Sequence, residues 1–290
     1  MKFGVWLPAV HPFSTPALLA RVADELEARN IDSVWVGEHV VLFDDYESKY
    51  PYSQDGKLPA GPDSGILEPF SVLSFLASRT TKARLGTAIA LLGQRNPVYS
   101  AKEIATLDWL SGGRVDLGIG VGWSREEYEA VGVSWPRRGA RTDEAVAVCR
   151  ALWETDPSSY DGEFYSVPSC HLHPKPVQSK LPIHVGGETE AALRRVAKLG
   201  QGWFTFNRLP EDMAEPLALL DKLLAEQGRT RDEIEINVCS YFHELTPDLV
   251  ERYKEAGADQ VVGMIFPMAP ESVPESFDAL EPIRARAAAL

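Results

Sequence analysis

Residues 83–123 read ARLGTAIALLGQRNPVYSAKEIATLDWLSGGRVDLGIGVGW. The stretch opens on a short apolar run, Ala83 to Leu92. From Asn96 its apolar residues recur at helical spacing. Gly113 closes that segment in the manner of a helix C-cap with positive φ. A second short run, VDLGIGVGW, then starts at Val115. Strand, helix and strand in this order make one βα unit and the start of the next.

The alternation continues on both sides. Upstream, Phe3 to Leu7 leads into PALLARVADELEARN, and SVWVGEH leads to a helical stretch from about Pro69 to Arg79. Downstream, VDLGIGVGW precedes a helical region ending near Trp153, and PIHVGG precedes EAALRRVAKLG. GWFTF precedes EDMAEPLALLDKLLAEQG, EIEINVCSY precedes PDLVERYKEAG, and QVVGMIF precedes the C-terminal helix. Gly200, Gly228 and Gly257 close helices as Gly113 does. Eight such units in 290 residues are the pattern of an α/β protein of the (β/α)8 TIM-barrel type, expected as a single domain over residues 1–290. A doubly wound open sheet is the competing arrangement. Residues 40–67, rich in Tyr, Pro, Gly and Asp, read as a long lid loop after strand 2. Residues 156–181 read as a hairpin insertion with a Pro-rich return before strand 5.

The net charge of −13 argues against nucleic acid as a partner. No stretch approaches the roughly 20 uninterrupted apolar residues of a membrane span, and MKFGVWLPAVHPF lacks the pattern of a leader. Cys149, Cys170 and Cys239 match no metal or disulfide spacing, which suggests a reducing cytoplasm.

In a barrel of this type the chemistry sits at the C-terminal ends of the strands. Those ends carry Trp6, Glu38-His39, Ala88-Ile89, GVGWSREE from Gly120, GGETE from Gly186, and Asn207-Arg208. Gly120, Gly122, Gly186 and Gly187 would leave backbone N–H groups bare for an anion at two helix N-termini, with Ser124 and Thr189 adding hydroxyls. Tight turns need glycine for their own geometry as well. Glu126, Glu127, Glu188 and Glu190 would repel phosphate unless they point away. If strand 2 continues through Glu38 and His39, their side chains face opposite sides.

Trp6 and Trp123 are candidates to wall a ligand. Trp35, Trp109 and Trp153 follow core periodicity, while Trp203 fits either role. His184 alternates with apolar neighbours and reads as a satisfied core histidine. His171 and His173 form an H-x-H pair with no acidic partner at ligand spacing, so no metal site is expected. Lys102, Glu103, Arg194 and Arg195 read as solvated helix faces. Arg137, Arg138 and Arg141 form the densest basic cluster, either paired with Asp143 and Glu144 or open to an acidic ligand. No Gly-x-Ser-x-Gly elbow, His-Glu-x-x-His motif or full Gly-x-Gly-x-x-Gly turn occurs.

Several of these segments together resemble one family. They are WVGEHVV, ARLGTAIALL, RNPVYSAKEIATLDWLSGGRVDLGIGVGWSREEYEAVGV, RRGARTDE, DGEFYSV, PKPVQ, PIHVGG and LGQGWF. The chain is similar to the luciferase-like monooxygenase superfamily over almost its whole length. Within it, the likeness is greatest to oxidoreductases dependent on coenzyme F420, a 5-deazaflavin. The resemblance implies a tricyclic ring over the barrel mouth, with its phosphate near strands 4 and 5. It implies a cis bond at Ala88–Ile89 behind the ring, His39 at the reactive edge, and Glu38 as a ring contact or support for the turn.

The cofactor-binding residues expected on this basis are Trp6, Ala88, Ile89, Gly120, Gly122, Trp123, Ser124, Gly186, Gly187, Glu188 and Thr189. His39 and Glu38 are the expected catalytic residues. The expected activity is hydride transfer between F420 and a small-molecule substrate, with a homodimer as the assembly. The lid aromatics Phe43, Tyr46, Tyr50 and Tyr52 suit an apolar substrate, or else pack on the barrel or a second subunit. An FMN-dependent monooxygenase is the first alternative. A non-catalytic flavin- or deazaflavin-binding protein is the second.

Overall fold

Thr15, Glu68, Asn96 and Thr246 each end an extended segment and start a helix. Each side chain accepts from backbone amides of the first turn, and each is followed by a proline. Proline suits that position because its φ is already helical and its missing N–H would have had no helical partner. These caps set where the strands stop and the return helices begin.

The computed structural model describes residues 1–61 and 63–290. The barrel strands are β1 (Lys2–Leu7), β2 (Ser33–Val36), β3 (Arg84–Thr87), β4 (Val115–Ile119), β5 (Ile183–Gly186), β6 (Gly202–Phe206), β7 (Glu235–Cys239) and β8 (Gln260–Met264). They pair in parallel and in chain order. β8 returns to β1 with Lys2 opposite Gln260 and Trp6 opposite Met264. The sheet is therefore a closed eight-stranded barrel, and the open doubly wound sheet is excluded.

The helices that alternate with the strands are α1 (Pro16–Ala28), α2 (Pro69–Ala77), α3 (Pro97–Ser111), α4 (Arg125–Ala130), α5 (Arg138–Glu154), α6 (Glu190–Leu199), α7 (Ala214–Glu226) and α8 (Pro247–Glu255). Then come α9 (Val273–Asp278) and α10 (Glu281–Ala288). Within 40–67 the regular structure among the described residues is Gly65–Ile66, paired antiparallel with Val10–His11. The insertion before β5 is a hairpin of Ser158–Asp161 with Ser166–Cys170. Among the described residues no helix is long and apolar enough to cross a membrane.

The barrel interior is built around Trp35, which is fully buried. A Cβ at Gly86 would lie 2.1 Å from its ring, so position 86 has to lack a side chain. Phe204, Cys239 and Val262 pack with Trp35, and Trp6, Ala88, Phe206 and Tyr241 lie against this layer toward the mouth. Below it, the indole N–H donates to Ser33 Oγ at 2.8 Å, and Ser33 donates to Gln260 at 2.9 Å. Gln260 donates to Asn237 at 2.7 Å, and the Asn237 amide donates to His184 Nδ1 at 3.0 Å. The other ring nitrogen of His184 lies 3.5 Å from Asp116, which Arg84 Nε meets at 2.6 Å. This chain of partners lets polar side chains cross the barrel floor without leaving a donor orphaned. His184 is the satisfied core histidine its sequence context suggests.

Four expectations are corrected. Gly200 ends α6 with φ −82°, so it does not form a left-handed cap, whereas Gly113, Gly228 and Gly257 do have positive φ. Trp109 is 58% exposed instead of core, because it lies on the outward face of α3. Arg195 is buried and paired with Asp143, so it is no solvated helix face. With Asp143 taken by Arg195, the basic cluster finds other partners. Arg137 pairs with Glu163, Arg141 donates to the Ser134 carbonyl, and Arg138 stacks on Trp135. Glu144 accepts instead from the hairpin amides of residues 163–165. Trp153 and Trp203 are buried.

Burial acts to raise the Asp116 carboxyl, but hydrogen bonds from His184 and Arg84 outweigh it and hold the group at about 2. The folded value lies below the ordinary 3.8. Its contribution to stability is therefore complete above about pH 4 and lost as the pH falls toward 2. Urea unfolding between pH 6 and pH 2 should show this loss, and Asp116→Asn should flatten it. Asp116→Ala should cost about 3–5 kcal/mol by leaving Arg84 and His184 without their partner.

Candidate active site

Glu38 and His39 leave β2 at its C-terminal end and diverge. Glu38 turns toward the segment after β3, where its buried carboxylate accepts from Leu91 N–H at 2.6 Å and from Arg95 Nε at 2.7 Å. Arg95 also donates to Glu68 at 2.7 Å and lies 4.9 Å over the Phe70 ring. Burial pushes the Glu38 carboxyl up, and Arg95 pulls against it. Glu38 thus ties down the backbone that follows Ala88–Ile89, and that bond is cis. Both of its carboxylate oxygens are thus engaged in supporting that turn.

His39 turns to the β4 side and meets Glu127, which is fully buried at the start of α4. The Glu127 carboxylate accepts from Val40 N–H at 2.7 Å, from His39 Nδ1 at 3.2 Å and from Gln94 Nε2 at 3.3 Å. The Trp123 indole N–H lies 3.3 Å from His39 Nε2. An indole only donates and a carboxylate only accepts, so these partners assign the ring proton to Nδ1 and the lone pair to Nε2. From the sequence, Glu127 is expected to repel phosphate unless it points away. Its neighbours SREE look like a solvated helix start, and only the fold brings His39 to it.

The glycines divide into two kinds. A Cβ at Gly120 would lie 1.7 Å from Ile89 Cδ1, and one at Gly186 would lie 2.6 Å from Ile89 Cγ2. These two positions are bare because Ile89 fills them. Gly120 N–H is already given to the Ala90 carbonyl at 3.1 Å. Both glycines are thus required by the packing of Ile89, and the Gly120 N–H is not bare. Gly122 and Gly187, with φ of +70° and +117°, are the turn glycines. Thr189 caps α6 by accepting from Ala192 N–H, and Trp203 donates to the Gly187 carbonyl at 2.9 Å. The Glu188 carboxylate points away toward β6, held by Thr205, Phe206 N–H and Arg208. Ser124 Oγ accepts from Glu127 N–H at 3.2 Å as the α4 cap.

The lid closes on this rim. Glu126 accepts from Glu47 and Ser48 N–H, and Arg125 N–H donates to Ser48 Oγ at 2.9 Å. The lid thereby takes the Arg125 N–H of α4, next to the turn on which a phosphate was expected. Tyr46 and Tyr50 pack on Trp123, and Tyr52 packs on Phe206 at 5.0 Å. Tyr50 OH donates to Tyr241 OH at 3.2 Å. Trp6 joins the same layer against Phe206 and donates to the Ala88 carbonyl at 3.3 Å. Ala88 and Ile89 are half-buried among these rings. Such an apolar, aromatic floor with polar groups at its rim has the character to take a planar ring, and Tyr52 packs on it through Phe206. Ala9, Asn207 and Tyr241, in the loops after β1, β6 and β7, have φ between 51° and 60°. Backbone held in this region collects at functional rims. The expectation that His171 and His173 lack an acidic partner is corrected, because Asp156 lies beside both of them.

A closed parallel barrel with an aromatic rim at the C-terminal ends of its strands, lidded from β2, defines an α/β-barrel protein of the (β/α)8 class. The chain belongs to the luciferase-like monooxygenase family, whose model matches residues 1–267. It is 33% identical over 289 residues to an uncharacterised protein of Mycobacterium bovis, covering 99% of each chain. An F420-dependent secondary alcohol dehydrogenase, solved with an F420–acetone adduct, superposes with a TM-score of 0.76. That match has 18% identity and covers 99% of this chain and 98% of the other. The oxygenating constituent of 3,6-diketocamphane monooxygenase of Pseudomonas putida, a type II Baeyer–Villiger monooxygenase in complex with FMN, gives 0.63 at 19% identity, over 82% and 66% of the two chains. At these identities the two superpositions establish the fold.

Glu127→Ala should destabilise the protein by roughly 2–3 kcal/mol, since it strands the Val40 N–H and the Gln94 amide. Glu127→Gln, which still accepts, should lose less than half as much in the same urea titration.

Proposed function

We propose that the protein is an oxidoreductase that transfers a hydride between coenzyme F420 and a small organic substrate. The observation that carries the reading is His39, held by Glu127 and Trp123 with its Nε2 lone pair at the rim of an aromatic floor. Trp6, Ala88 and Ile89 would back the ring. The turn from Gly187 to Thr189 would hold the phosphate end, with Gly122, Trp123 and Ser124 available once the lid lifts. Bound there, F420 would supply the hydride donor or acceptor.

The protein's part is positional and protic. Nε2 of His39 exchanges its indole partner for the substrate's polar atom and takes or returns the proton that accompanies the hydride. Glu127 stays on Nδ1 and keeps the tautomer fixed. Tyr50 and Tyr52, closing over the bound pair, exclude water.

The FMN monooxygenase reading is favoured by the family to which the chain belongs. The non-catalytic reading is favoured by the Tyr52 ring over the floor. Titrating the purified protein with F420 and with FMN, followed by fluorescence, separates the three. F420 should bind and be reduced or oxidised with a member of a panel of small alcohols and carbonyl compounds. Tight FMN binding without F420 binding overturns the proposal, and so does F420 binding with no turnover of any member. His39→Ala should lower turnover about 100-fold or more while leaving the F420 dissociation constant within about twofold. Equal turnover would remove the proton role from His39.

A homodimer is part of the same proposal. Val98, Tyr99, Trp109 and Leu110 share the outward face of α3, and the exposed Val177 lies against Gly113 at its end. Exposed apolar area of this kind marks an interface. Sedimentation should give a dimer for the native chain and a monomer for Trp109→Glu.

A further inference from the structure

The hairpin before β5 carries a cluster that the proposed chemistry does not use. Asp156 lies between the end of α5 and the first hairpin strand, and His171 and His173 follow the second. Antiparallel pairing sets Ser158 opposite Cys170, which brings the three side chains together across the open end of the hairpin. His171 Nδ1 is 2.6 Å from Asp156 Oδ1, and His173 Nε2 is 3.4 Å from Asp156 Oδ2. The two imidazoles are nearly parallel, at 10°, so both present a nitrogen to the same carboxylate.

We propose that Asp156, His171 and His173 form a binding site for a divalent transition-metal ion, zinc foremost. Zinc bonds of about 2.0–2.2 Å to nitrogen and oxygen place the ligand atoms of a tetrahedral site roughly 3.3 Å apart. The three ligand atoms here lie within 4.8 Å of one another. Rotations of these exposed side chains by at most about 1.5 Å bring the ligand atoms to zinc geometry.

Two imidazoles with one carboxylate select zinc, copper or nickel over magnesium and calcium, which take oxygen ligands. The nearby ammonium groups are directed elsewhere. Lys175 donates to the Leu152 and Thr155 carbonyls at 2.7 and 2.6 Å, and Lys102 donates to the His173 carbonyl. Cys170 packs against the core, so the remaining position belongs to water. An ion here links the chain before the hairpin to the chain after it and closes the insertion into a loop.

The test uses the full chain, free of any histidine tag and stripped with chelator, titrated calorimetrically with zinc chloride. The native chain should bind one equivalent, Asp156→Asn should bind at least tenfold more weakly, and H171A/H173A should not bind. These side chains are exposed, and circular dichroism checks that each variant is folded. Zinc should raise the Tm of the native chain and leave that of H171A/H173A unchanged. Magnesium chloride should give no heat of binding. No stoichiometric zinc binding by the native chain overturns the site, as does unchanged affinity in H171A/H173A. Equal binding of magnesium overturns the metal class.

Discussion

A tryptophan in the middle of a closed barrel needs room for its ring and a partner for its N–H. Trp35 meets both demands, and much of the interior follows from them. Gly86 provides the room. Ser33 provides the partner and passes the requirement along Gln260, Asn237 and His184 to Asp116 and Arg84. On its upper side, Trp35 supports the layer of Trp6, Ala88 and Phe206 that floors the mouth. The site therefore stands on a plug whose lower face is polar but fully partnered and whose upper face is apolar.

Two buried carboxylates divide the work above that plug. Glu38 fixes the backbone after the cis bond through Leu91 and Arg95. Glu127 fixes His39 and the first amide of the lid. Neighbours in sequence thereby acquire separate structural duties. His39 and Val40 share one partner, so the orientation of the imidazole and the root of the lid are coupled through a single side chain.

The barrel was legible in the sequence because its signals are local. Short apolar runs, helical spacing and closing glycines each act within one unit. What escaped were features made by contact between units. Apolar periodicity placed Trp109 in the core, although it lies on the outward, solvent-facing side of α3. Arg195 looked solvated because Asp143, on α5, reaches it only once the barrel is folded. Gly120 and Gly186 looked like anion-binding backbone, yet they are empty for the sake of Ile89, one strand or more away. Asp156 meets His171 only through the hairpin register. In each case the missing information is a partner distant in sequence.

The seating of Tyr52 on Phe206, with Ser48 and Glu126 pinning the segment before it, makes the lid a tethered competitor for the mouth. A tethered group acts at an effective concentration set by its loop, commonly in the millimolar range. Under the proposed function, a ring entering the mouth would bind only the fraction of molecules whose lid is lifted, and its apparent affinity would be reduced by that fraction. For the proposed cofactor, the stacking and hydrogen bonds that hold the lid down would therefore set the threshold concentration at which the site fills, without touching the ligand at all.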